Sequence, residues 1–120
     1  MSKDKATHIQ WDKLPVEELN PLFGRQIVVG DQIMVARVLL KKGCVVPLHQ
    51  HHNEQISYIQ SGALQFTVSG EDITVRAGEF LCIPPNAPHT AVALEDTVDI
   101  DLFTPPREDW LNKTDEYLRR

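Results

Sequence analysis

A chain of 120 residues, 42% of them hydrophobic, is long enough to close one core without disulfide staples. Its net charge of −5 argues against a nucleic-acid partner, which calls for a basic surface. No apolar run reaches membrane-spanning length, and the start, MSKDKATH, has no apolar signal-peptide core, so the expectation is one soluble cytoplasmic domain over 1–120 with no membrane partner. In chain order, "LPVEELNPLF" has room for one helical turn, which Pro21 cuts short. "QIVVG" then reads as an apolar N-terminal strand. "QIMVARVLL" ends at Lys41-Lys42-Gly43, "QISYIQ" at Ser61-Gly62 and "ALQFTV" at Ser69-Gly70. "DITVR" ends at Ala77-Gly78, "EFLCI" at Pro84-Pro85-Asn86, "HTAVAL" at Glu95-Asp96 and "VDIDLF" at Pro105-Pro106. Short β-rich runs at this spacing predict an all-β sandwich or barrel. Leu64, Phe66 and Val68 alternate with Gln65 and Thr67, the period of a half-buried strand. "REDWLNKTDEYLRR" has room for a short C-terminal helix. Cys44 and Cys82, with no CxxC, read as buried, reduced thiols.

Three of the five histidines, His49, His51 and His52, crowd into "GCVVPLHQHHNEQ". On a strand, residues two apart share a face. His49 and His51 therefore project together, Gln55 shares their parity, and His52 and Glu54 have the opposite one. His89, in "PPNAPHTA", starts a later strand. Two histidines on one strand, with a third delivered across a barrel, would make a metal nest of imidazoles, the commonest metal ligands. The plain alternative is a chance surface cluster.

The two histidine segments together resemble the cupin family. Gly43, His49, His51 and Gly62 fit the first cupin motif, G-x5-H-x-H-x3-4-E-x6-G, with Gln55 at the glutamate position. Gly78, Pro84 and His89 fit the second, G-x5-P-x-G-x2-H-x3-N, with Asn86 where Gly is usual and Ala93 in place of the last Asn. The resemblance covers about residues 30–104. It implies a double-stranded β-helix, or jelly-roll, barrel with short N- and C-terminal segments. It further implies one divalent transition metal (Ni, Zn, Fe or Mn) among His49, His51, Gln55 and His89. A neutral amide in that set would leave the ion its full charge, favouring Lewis acidity over affinity. Glu54 could take the place of Gln55 only if a bulge inverted strand parity. His52 is expected to face solvent.

Asp99, Asp101 and Phe103 share one strand face. Two acids there are costly unless they meet water, a cation or a substrate; an exposed edge strand with solvated carboxylates is the other reading. Gln55 together with the tail D-x-F-x-P-P-R resembles the pectin-degradation, KdgF-type cupins, although the HxH-to-Gln spacing is one residue shorter here. That resemblance implies ring opening of a 4,5-unsaturated uronate, an isomerase-like carbohydrate activity. Asp101 would be the general base and Arg107 a second catalytic residue, with Phe103 and Arg107 lining the pocket. Arg25 or Arg107 could grip a substrate carboxylate as a bidentate fork. Arg37 reads as a surface residue or salt-bridge partner, and Tyr58 and Trp110 as packing residues. Trp11 would pack an N-terminal strand, and a homodimer is expected to cover "QIVVG". Two rivals use the same constellation: an iron-dependent cupin dioxygenase, and a cupin that binds a small molecule without catalysis.

Overall fold

The computed structural model describes residues 4–119. β1 (Glu17–Asn20), β2 (Phe23–Val29) and β3 (Met34–Leu40) form a meander. β4 (Val45–His49) starts a second sheet, and β5 (Glu54–Ser61) returns to the first. β6 (Ala63–Val68), β7 (Glu71–Arg76), β8 (Phe80–Ile83), β9 (His89–Ala93) and β10 (Thr97–Thr104) follow. The chain ends in a single helical turn, α1 (Glu108–Leu111), and a 3₁₀ turn at Glu116–Leu118.

One sheet has the order β1-β2-β3-β10-β5-β8 and the other β4-β9-β6-β7, with antiparallel pairing throughout. Chain crossings between two facing sheets make this a jelly roll. Strand alternation builds the inner face: Met34, Ala36, Val38 and Leu40 from β3, and Leu64 and Phe66 from β6, are buried. Gly62, at φ +87°, is the single residue between β5 and β6, where the chain passes from one sheet to the other. A side chain there would collide with Asp96 O and Thr97 Cα, so the turn requires glycine.

β10 lies between β3 and β5, with Asp101 opposite Ala36 on one side and Ser57 on the other. Asp99 and Asp101 are therefore buried in a central strand, which removes the solvated-edge reading. Two expectations are corrected, and the short C-terminal helix is present. "LPVEELNPLF" forms strand β1 and a turn, not a helical turn; Glu17 pairs with Arg25 across the hairpin, and Leu22 N donates to Asn20 Oδ1 at 2.9 Å to tighten it. The short C-terminal helix is the four-residue α1, and the chain turns away just beyond it at Lys113, φ +58°. Cys82 is exposed, because β8 is an edge strand that turns Ile83 inward and Cys82 outward; Cys44 is buried. Among the described residues, no helix is long and apolar enough to cross a membrane.

Candidate metal centre

His49, the last residue of β4, pairs with His89, the first of β9. His51 lies beyond the strand, in the loop that carries the chain from one sheet to the other. His49 and Gln55 therefore do not share one continuous strand, as their parity suggested: they belong to different sheets, and the crossing loop brings them together. Asn53 pins that loop. Its buried amide donates to Pro105 O at 2.5 Å and Pro106 O at 3.3 Å. Gln55 points inward and Glu54 outward, and His52 is exposed as expected.

Each of the three histidines uses Nδ1 on a backbone carbonyl two residues away. The distances are 2.8 Å for His49 to Pro47 O, 3.1 Å for His51 to Asn53 O and 2.9 Å for His89 to Ala87 O. A carbonyl is only an acceptor, so it selects the Nδ1–H tautomer and leaves a lone pair on Nε2. The ligand atoms of the three lie within 4.8 Å of one another. Burial lowers the pKa of His49 to about 3 and of His51 to about 4, and moves that of His89 down as well. The trio is therefore neutral at pH 7, the state a metal ligand needs. His89 Nε2 is buried with no hydrogen-bond partner among the described residues.

Gln55 Oε1 stands 3.1 Å from His51 Nε2. With the His51 proton on Nδ1, two lone pairs face each other at that distance, and a cation between them removes the repulsion. These observations fit a divalent ion: the three histidines are positioned to bind one.

Behind the nest, Gln55 Nε2 donates to Ser57 Oγ at 2.9 Å, and Ser57 Oγ donates to Asp101 Oδ1 at 2.7 Å. Asp99 faces Asp101, its Oδ1 buried without a partner. Burial raises the pKa of both acids; the Asp101 charge raises that of Asp99 further, whereas the hydrogen bond from Asp99, then Ser57, Arg107 and His89, restrain that of Asp101. His49, His89, Gln55, Asp101, Phe103 and Arg107 all border a cavity of about 40 Å³.

Arg107 is buried and held by both oxygens of Asp109, Nε donating at 2.9 Å and Nη2 at 2.7 Å. Nη2 also donates to Tyr117 Oη at 2.6 Å, and the guanidinium lies 5.1 Å over Phe103 and 4.9 Å over Trp110. Arg25 does not reach this cavity wall. It is fully buried between Glu17 (Nε to Oε1, 3.0 Å) and Asp115 (Nη1 to Oδ2, 2.6 Å), 4.3 Å over the Trp110 ring. The structure thus places Arg25, expected at a substrate carboxylate, in an ion pair apart from the residues that border the cavity. Arg37 donates to Gln26 Oε1 at 2.9 Å, and Gln26 in turn donates to Trp11 O and Leu14 O. Trp110 packs as expected, 5.2 Å from Phe103, and Tyr58 packs 4.6 Å from Phe80.

Four residues at the site went unread in the sequence. Asn53 acts from the crossing loop and Asp109 from the first turn of α1, through contacts that no pattern announces. Ser57 shares the strand parity of Gln55 and was within reach of that argument. Tyr117 arrives with the C-terminal segment and stacks 4.6 Å from His49, at 22° between planes.

Three metal-ready imidazoles at the mouth of a jelly roll define a class, and the sequence agrees: residues 36–104 match the family model described as Cupin domain, so the chain belongs to the cupins. Within that class it is similar to the pectin degradation protein KdgF of Dickeya dadantii (strain 3937), 33% identical over 103 residues, or 83% of this chain and 94% of that one. The solved structure of KdgF from Halomonas sp. superposes with a TM-score of 0.83 at 30% identity, covering 88% of this chain and 99% of that one. An RmlC-like cupin from Shewanella frigidimarina gives a TM-score of 0.82 at 26% identity, covering 88% and 96%.

Proposed function

We propose that this chain is a metal-dependent isomerase that opens the ring of a small acidic sugar, a 4,5-unsaturated uronate, to its linear keto acid. The observation that carries the reading is a buried carboxylate, Asp101, facing the same cavity as His49, His89, Gln55 and Arg107. Likeness to KdgF over most of both chains supports the substrate class. His49, His51, Gln55 and His89 would hold one divalent ion of the Ni, Zn, Fe or Mn type. Such an ion, when bound, supplies positive charge against a substrate oxygen on which negative charge develops.

Asp101 does the proton chemistry. Burial makes its carboxylate a stronger base than an exposed one. It takes the proton of the anomeric hydroxyl. The carbonyl forms there as the bond from the anomeric carbon to the ring oxygen breaks, and the electron pair stays on that oxygen. The resulting enolate is reprotonated at the neighbouring carbon, so the product is an isomer of the substrate. Arg107 has a substrate-facing role: its Nη1 makes no hydrogen bond among the described residues, and Phe103 supports the guanidinium plane. On this reading the protein works in the cytoplasm as one domain per chain and as a homodimer.

The test follows the ultraviolet absorbance of an unsaturated uronate against a buffer blank, since the ring also opens unaided. Wild type should exceed the blank, and Asp101→Asn should lose about 10²–10⁴-fold while keeping its metal. Equal rates for wild type, Asp101→Asn and blank would remove the isomerase reading and leave the metal site standing.

A further inference from the structure

We propose that Ser57 is a positioning residue that decides which end of the Gln55 amide faces the histidines; this rests on the reading of Gln55 as a metal ligand. An amide has one end that binds a cation and one that does not. The two are nearly equal in size, so packing alone does not choose between them. The choice comes from counting protons. Ser57 lies two residues along β5 from Gln55, on the same inward face, and is fully buried. Its hydroxyl has a single proton, which goes to Asp101 Oδ1 at 2.7 Å. The side of Ser57 Oγ that meets Gln55 therefore presents only lone pairs. Gln55 answers with its NH₂ at 2.9 Å, and Oε1 is left facing His51 Nε2 at 3.1 Å.

Flipping the amide would set two oxygens against each other inside the barrel and aim N–H groups at the cation position. The hydrogen-bond order thus runs one way, from Gln55 to Ser57 to Asp101. The residue read as the base also anchors the ligand. A carboxylate in place of Gln55 would need no such device, because both of its ends bind cations.

That contrast gives the experiment. Four tag-free proteins are titrated with zinc alone in competition with a chromophoric chelator: wild type, Ser57→Ala, Gln55→Glu, and Gln55→Glu combined with Ser57→Ala. Removing the hydroxyl should weaken zinc binding about 10- to 100-fold when residue 55 is glutamine, the usual cost of losing a partner that orients a ligand. The same removal should cost little or nothing in the Gln55→Glu background. Ser57→Cys, similar in size with a far weaker hydrogen-bonding group, should reproduce the pattern. Equal losses in both backgrounds, or no loss in either, overturn the positioning role while the ligand reading survives. A wild type that takes up no zinc overturns the ligand reading and this inference with it.

Discussion

Asp99 shows what burial does to a single side chain. It is enclosed, and among the described residues its Oδ1 has no hydrogen-bond partner. Burial, then the Asp101 charge, holds its pKa well above the usual carboxylate range. A raised folded-state value means a contribution to stability that is intact below the unfolded pKa of 3.8 and is lost as pH rises through the folded value. Asparagine stays neutral at every pH. Asp99→Asn should therefore melt progressively higher than wild type as the pH is raised above about 4, with the curves converging below it. The three histidines shift the other way. Their lowered values cost stability as pH falls below 6.5, and they cancel when the two proteins are compared at each pH. Parallel melting curves would contradict the assignment. At this scale the sequence was informative where strand alternation sets the facing, as for Asp99, Asp101 and Phe103. It was silent on Tyr117, whose place on His49 depends on the path of the last segment.

Between elements, the C-terminal segment is tied back to the first hairpin. Asp115 pairs with Arg25, Arg119 reaches Glu17 at 3.1 Å, and Asn20 donates to Leu118 O at 3.0 Å. The segment also carries Tyr117 and Leu118 to the cavity wall. Arg25→Met should leave Asp115 with the partly exposed Arg119 alone, cost about 3 kcal/mol in denaturant unfolding and, on the proposed activity, leave the Michaelis constant unchanged. A stable variant with a raised Michaelis constant would return Arg25 to the substrate. These ties also explain why the helix expected in "REDWLNKTDEYLRR" is short: the chain must leave it at Lys113 to bring Asp115 to Arg25. Local propensity gives way to a buried ion pair 90 residues apart in sequence. The crossing loop teaches the same lesson. The convergence of His49, His51 and Gln55 was anticipated through strand parity, but a turn between two sheets achieves it, and no periodicity encodes such a turn.

Over the whole molecule, the rhythm of short strands and turn residues was enough to anticipate two packed sheets, because each strand had to bury one face. The outer face of the six-stranded sheet is less expected. Val28, Val35, Leu102, Ile56 and Cys82 form one register row across it, and Ile100, Tyr58 and Phe80 lie in the next. Phe80 is 64% exposed, and Ile56 and Leu102 are 36% exposed. If a second copy covers this face, light scattering at micromolar concentration should return a dimer, and Phe80→Asp should shift it to monomer. A monomeric wild type, or a variant that stays dimeric, would place the contact elsewhere or remove it. The central claim, that one ion joins the two sheets at the barrel mouth, is tested most directly by anomalous diffraction from crystals of tag-free protein loaded with zinc. One peak is expected about 2.0–2.2 Å from Nε2 of His49, His51 and His89, with Gln55 Oε1 as the fourth contact. Crystals with no peak at the nest, or an ion bound elsewhere while the three imidazoles stay free, would contradict it.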